Sequence, residues 1–238
     1  MAQENCFEAS TPLSEMRQFD KNKFHKSNSE NPGRALRVGY VSYDWRDHPM
    51  GRLTSYFVTH HNSHIVTAHA FSYGPDDGSL PRYRVENGAT SFVDFSRIMS
   101  DDFAADLVLQ HELDIVVDLT MWTENGRVSL VNRRLAPVTI NYLGYPGTSG
   151  CEGYDFVLVD RVSSPAEISR SFTEKLIYVP SSYSYQANDM PLDVAPCKVE
   201  INDFKNDITS NGKGLLHPYT TLRKECQARI NGSHTSGQ

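Results

Sequence analysis

Asp44, Arg46, Asp47 and His48 fall within five consecutive positions, directly after a β-rich run that ends near Ser42. His48 has the side chain whose ordinary pKa lies nearest neutrality, and a carboxylate such as Asp44 is a second proton acceptor. Arg46 or Arg52 offers a fork of donors that suits a phosphate. The same composition also describes a solvated loop in which Asp47 caps a helix. A second run, Thr120–Arg127 (TMWTENGR), follows another apolar run and contains Asn-Gly, a turn signal. If a helix starts after that turn, its free N–H groups could meet a phosphate or a sugar oxygen. A third run, Leu143–Gly150 (LGYPGTSG), has three glycines, which let backbone approach a ligand closely. It lacks the GKS or GKT of a Walker loop and the GxGxxG of a dinucleotide site, and it also reads as a plain tight turn.

These three runs need a scaffold, and the intervening pattern supplies one. Strands are expected over 35–42, 65–73, 91–95, 114–119, 138–143, 154–160 and 174–179. Helices are expected over 53–60, 101–113 and 127–135. In the second helix Asp101 and Asp102 suit a helix N-terminus, and Phe103, Ala104, Leu107, Val108 and Leu113 make an apolar face. The run DIVVDL (114–119) is almost wholly apolar, as for a strand covered on both faces. Alternating strands and helices predict an α/β, Rossmann-like, doubly wound and mostly parallel sheet. Ligands in such sheets sit at the carboxyl ends of the strands, where all three runs lie.

Composition narrows the classes. The chain has 238 residues, 39% hydrophobic and 22% charged, which describes an ordinary globular protein. Its formal charge of −6 shows no basic footprint, so nucleic acid is not an expected partner. No apolar run reaches the roughly 20 residues of a membrane span, and MAQENCFEAS does not read as a signal peptide. The four cysteines, Cys6, Cys151, Cys197 and Cys226, form no CxxC pair and are expected to be reduced thiols in a cytoplasmic or nuclear protein. His60, His61 and His64 are not expected to hold a metal, and Asp76-Asp77-Gly78 reads as a turn. Residues 1–34 read as a flexible leader, 35–190 as one domain, and 191–238 as a divergent, disordered tail.

Five blocks in order, RVGYVSYDWRDHP (37–49), YGPDDGS (73–79), LAPVTINYLGYPGTSG (135–150), YDFVLVDRVSSPAE (154–167) and SFTEKLIYVPSSY (171–183), resemble the catalytic region of protein O-GlcNAc transferases. The stretch LGYPGTSG, with Asp160 and Ser164-Pro165-Ala166-Glu167 after the next strand, is the most specific part. The resemblance implies the first lobe of a GT-B glycosyltransferase. Such an enzyme takes UDP-GlcNAc as donor, uses no metal or other cofactor, and transfers GlcNAc with inversion to Ser or Thr of cytosolic and nuclear proteins. It further implies that His48 is the active-site histidine, that Asp44 is an acid proposed to accept a proton through water, and that Pro49 adjoins them. Gly144, Tyr145 and Pro146 would line the sugar pocket, and Thr123 and Arg127 would belong to the second loop. The base stays open between Asp44 and His48. The chain differs from animal relatives at Met50, Arg52 and Glu124, where they tend to carry Thr, His and Lys. The residues after 190 do not resemble the family's second lobe, which supplies most UDP contacts. The resemblance therefore leaves three readings: a transferase lobe that associates with a second lobe or with itself, a non-catalytic truncated fragment acting as a binding module, and an O-fucosyltransferase of the related plant type.

Overall fold

A computed structural model describes residues 33–179, which fall in the first of two units of the chain, residues 1–189 and 190–238. Most of the expected leader and all of the expected tail lie outside the described residues. The elements run β1 (Leu36–Ser42), α1 (Pro49–Thr59), β2 (Val66–Ser72), α2 (Leu80–Gly88), β3 (Ser91–Asp94), α3 (Asp101–Leu109), β4 (Ile115–Asp118), α4 (Val128–Val131), β5 (Val138–Tyr142), β6 (Phe156–Val159) and β7 (Lys175–Tyr178). A 3₁₀ turn, Ala166–Ser171, precedes β7.

The seven strands form one sheet in the order β3-β2-β1-β4-β5-β6-β7, with every pairing parallel. This is the expected Rossmann-like sheet. The strand order reverses at β1, which pairs with β2 from Leu36 opposite Val66 and with β4 from Val38 opposite Ile115. Successive side chains alternate between two cores, as the period of a strand requires. Val41, Phe71 and Val116 pack with α3 and α4 on one face. Val38, Tyr40, Ala68, Ala70 and Val117 pack with α1 and α2 on the other. Burial on both faces explains why these strands read as unbroken apolar runs.

Local sequence explains the helices. Pro49 starts α1, where its missing N–H costs nothing and its fixed φ suits the helix. Ser100 caps α3 by accepting the N–H of Phe103, with Asp101 and Asp102 in the first turn. The face α3 buries is Ala104, Ala105 and Val108, while Phe103 is exposed. The small alanines set that face, and the expectation that Phe103 belongs to it fails. Helix α1 begins four residues before its expected start at 53, α3 stops at Leu109, and α4 covers only Val128–Val131. Helix α2 was not expected at all. Its sequence, LPRYRVENG, is polar and buries only Pro81, Arg82 and Val85. Cys151 is disulfide-bonded, so a reduced thiol is not what the structure shows there. No described helix is long and apolar enough to cross a membrane.

Candidate active site

All three chemistry-bearing runs leave the carboxyl ends of strands: 43–48 follows β1, 120–127 follows β4, and 143–150 follows β5. Because β1 and β4 are neighbours and β4 and β5 are neighbours, the three loops adjoin at the point where the strand order reverses. That position is where open α/β sheets bind ligands.

The first loop is wound tightly onto α1. A Cβ at Gly51 would lie 2.3 Å from the carbonyl oxygen of Arg46 and 2.5 Å from that of Asp44, so only glycine lets this loop close on the first turn. His48 is the N-cap, and its Nδ1 accepts the N–H of Met50 at 3.2 Å. A ring nitrogen that accepts carries no proton, so the neutral ring holds its proton on Nε2. His48 is thereby arranged to donate from Nε2. Asp44 is 4% exposed. Its Oδ1 accepts from Arg46 Nε at 3.2 Å and Nη2 at 3.1 Å, and lies 3.5 Å from His48 Nδ1. The Arg46 guanidinium also rests over the Tyr43 ring, 5.2 Å from its centroid. A carboxylate, a guanidinium and an imidazole therefore meet at the end of β1. Pro49 is exposed at the first helical position beside them.

Two hydroxyls at strand ends, Ser42 and Thr120, hold the first loop against the second. Thr120 Oγ1 accepts the N–H of Tyr43 at 3.0 Å, and Ser42 Oγ accepts the N–H of Asp44 at 2.9 Å. Behind them, Asp118 closes β4 in full burial. It accepts the N–H groups of Thr120 and Met121 on Oδ1 and the Tyr154 hydroxyl on Oδ2, at 2.6 Å for the last. Burial raises the pKa of this carboxyl, against the opposing pull of those three bonds. The only available signal was position, since both Ser42 and Thr120 fall at strand ends beside the reversal.

Thr123 and Arg127 serve the second loop itself. The Thr123 hydroxyl donates to the Thr120 carbonyl at 2.7 Å. The Arg127 guanidinium is taken up by Asp101, by the Ile98 and Met99 carbonyls and by the faces of Tyr73 and Phe95. It fastens the start of α3 to the start of α4, and the structure does not bring it to the Asp44–His48 cluster. Glu124 is exposed on the same loop.

The third loop is locked to the second by close backbone packing. A Cβ at Gly144 would lie 2.1 Å from the Leu119 carbonyl oxygen. Leu143 takes the left-handed region at φ 70°, a strained choice for a leucine that turns the chain sharply at the strand end. The Tyr145 ring folds back over Gly147, and Pro146 is exposed at the tip. Trp122 Nε1 donates to the Ser149 carbonyl, and Glu174 accepts the Ser149 N–H at 2.6 Å and the Thr148 hydroxyl at 2.8 Å. Gly144, Tyr145 and Pro146 thus stand on a braced loop, adjoining the second loop and through it the first. Among the described residues, no three His, Cys, Asp or Glu side chains converge as a metal ion would require.

The chain matches the model of glycosyl transferase family 41 over residues 6–206. It is 33% identical over 151 residues to a UDP-N-acetylglucosamine–peptide N-acetylglucosaminyltransferase of Caenorhabditis elegans, a match covering 63% of this chain and 13% of that protein. It is 31% identical over 148 residues to the probable enzyme of the same description, SEC, of Arabidopsis thaliana, covering 62% of this chain and 15% of that one. The matches thus span about one seventh of the length of these relatives. Among solved structures, an O-GlcNAc transferase mutant of Thermobaculum terrenum superposes with a TM-score of 0.66 at 24% identity, over 76% of this chain and 33% of that one.

Proposed function

Because the chain belongs to glycosyl transferase family 41, we propose that it carries the first lobe of a GT-B enzyme that transfers GlcNAc from UDP-GlcNAc to Ser and Thr hydroxyls of cytoplasmic or nuclear proteins. The observation that carries this reading is the arrangement at the reversal of strand order. There the Asp44–Arg46–His48 cluster follows β1 and the braced glycine loop Gly144–Gly147 follows β5, the two strands that flank β4.

The chemistry fits the residues. An inverting transfer breaks the bond between the anomeric carbon and the diphosphate while the acceptor oxygen attacks from the opposite side. It needs the acceptor proton removed and the charge on the leaving phosphate met. With Nδ1 accepting from Met50, His48 presents Nε2–H, a donor suited to an oxygen of the donor substrate. Asp44 has Oδ1 held by Arg46, which leaves Oδ2 to take a proton through water. Arg46 supplies positive charge beside both. Gly144 and Tyr145 lie where backbone and a ring could border the sugar.

The test is calorimetric titration of the 238-residue chain with UDP and UDP-GlcNAc, with GDP-fucose alongside. Binding selective for UDP-GlcNAc, followed by transfer to protein that His48→Ala abolishes, is the expected result. Preference for GDP-fucose would overturn the sugar assignment. A folded sample that binds none of the three would leave the chain a binding module without a donor site of its own.

A further inference from the structure

Asn141 is out of character for its place. It lies in β5 between Ile140 and Tyr142, opposite Asp118 of β4 and Val157 of β6, and it is 0% exposed. A side-chain amide in a strand covered on both faces carries a desolvation cost that an aliphatic residue would avoid. Nothing in the sheet offsets that cost, because both hydrogen bonds of the amide leave the sheet. Nδ2 donates to the Tyr145 carbonyl at 3.0 Å and to the Gly147 carbonyl at 3.2 Å. Two carbonyl partners fix which end of the amide is nitrogen, since an amide oxygen cannot bond to either. Oδ1 is buried and takes no hydrogen bond among the described residues.

The two carbonyls flank Pro146, so one NH₂ group pins both sides of the loop tip. Neither glycine nor proline side chains could do this, and the left-handed Leu143 at the loop's start gives the turn direction but no anchor. Trp122 and Glu174 hold only the far end, at Thr148 and Ser149. We propose that Asn141 is the positioning residue of this glycine loop, fixing the Tyr145 and Gly147 carbonyls and with them the surface presented to the sugar of the donor. The sugar part of this rests on the proposed function. The anchoring part does not.

The experiment compares the full chain with Asn141→Leu and Asn141→Asp. Leucine has no donor, and a carboxyl, ionised or protonated, cannot donate to both carbonyls. Hydrogen exchange measured over residues 143–150 should speed up about tenfold or more in both variants, with β1, β2 and β4 unchanged. If UDP-GlcNAc binds, its Kd should rise about tenfold while that of UDP alone stays within about twofold. An equal loss for both ligands would mean a general structural role and would overturn the proposal. So would unchanged exchange in a folded variant. Should neither variant fold, the wild-type chain still decides. The Asn141 side-chain amide protons should exchange far more slowly than those of the exposed Asn87, and equal rates would sink the assignment. A wild-type chain that binds no nucleotide refutes the proposed function alone, and the loop exchange then judges Asn141 separately.

Discussion

Thr120 Oγ1 accepts the backbone N–H of Tyr43 across 77 positions of sequence, fastening the loop that leaves β4 to the loop that leaves β1. The bond lies between the two strands at which the sheet order reverses. Thr120 itself is fully inaccessible, and the bond is partly buried. The position of Asp44 therefore depends on a hydroxyl from another loop.

Replacing that hydroxyl by a methyl of similar shape should be costly. Thr120→Val leaves the partly buried Tyr43 N–H and the buried Ser42 hydroxyl without this partner, and an unsatisfied group shielded from water costs about 1–3 kcal/mol. Thr120→Ser keeps the acceptor and loses one methyl, about 1 kcal/mol. Urea unfolding should show the valine variant with the lower midpoint and an unchanged slope. A valine variant as stable as wild type would remove the bond from the account.

Asp118 and Tyr154 give a contrast of a different kind. Tyr154→Phe removes a bond to a buried carboxylate, worth about 1.5–3 kcal/mol. Asp118→Asn should stay within about 1 kcal/mol of wild type. Its Oδ1 can still accept from Thr120 and Met121, and its Nδ2 can donate to the Tyr154 oxygen; the Tyr154 O–H then loses its acceptor, a loss offset because the site no longer buries a charge. Thermal or urea unfolding of the two variants checks the ordering, and an asparagine variant worse than the phenylalanine one would contradict it.

His48 joins two roles that one pair of variants separates. Its ring caps α1, and losing an N-cap costs about 1 kcal/mol. His48→Ala should lose that stability and any transfer activity together. His48→Asn should regain the cap, because asparagine is a favoured N-cap, but not the activity. Nitrogen chemical shifts of the wild-type ring should report the proton on Nε2. A proton on Nδ1 would mean that the ring bonds Asp44 and not Met50.

Acid should weaken the fold in two stages. Burial lowers the pKa of His61, His69 and His111, with the His111 and Arg37 charges adding to the effect at His69. Each binds fewer protons folded than unfolded just below its unfolded value of 6.5. Their contribution is therefore whole above that pH and is lost as pH falls toward the folded values. Burial alone would raise the Asp114 carboxyl, but the Arg34 hydrogen bond, the Arg37 N–H and both positive charges more than reverse it, so its pKa is lowered. Asp94 is lowered similarly, with Ser96 and Arg82 outweighing burial. These carboxylates stabilise fully above their unfolded value of 3.8, and that part is lost as pH falls below it. Urea midpoints should decline first as pH falls below about 6.5 and again below about pH 4. His69→Gln should flatten the first decline, and a midpoint constant from pH 7 to 5 would refute it.

The strands and the loops worth watching are legible in the residues alone. All seven expected strands exist, because a strand buried on both faces must be apolar along its length, and that mark is local. The runs 43–48, 120–127 and 143–150 lie at strand ends for the same reason. Helix α2 escaped because its polar residues leave little periodic signal, and its buried Arg82 is satisfied by Ser72 and Asp94 from other elements. Which strand lies beside which, and so which loops touch, is settled by the folded sheet. The fold spent the Arg127 guanidinium on Asp101, 26 positions away, and turned the Asn141 amide toward the glycine loop. A residue's type states what it can bond. Its partner is set by the parallel pairing that brings distant segments together, and that pairing leaves no mark on either segment alone.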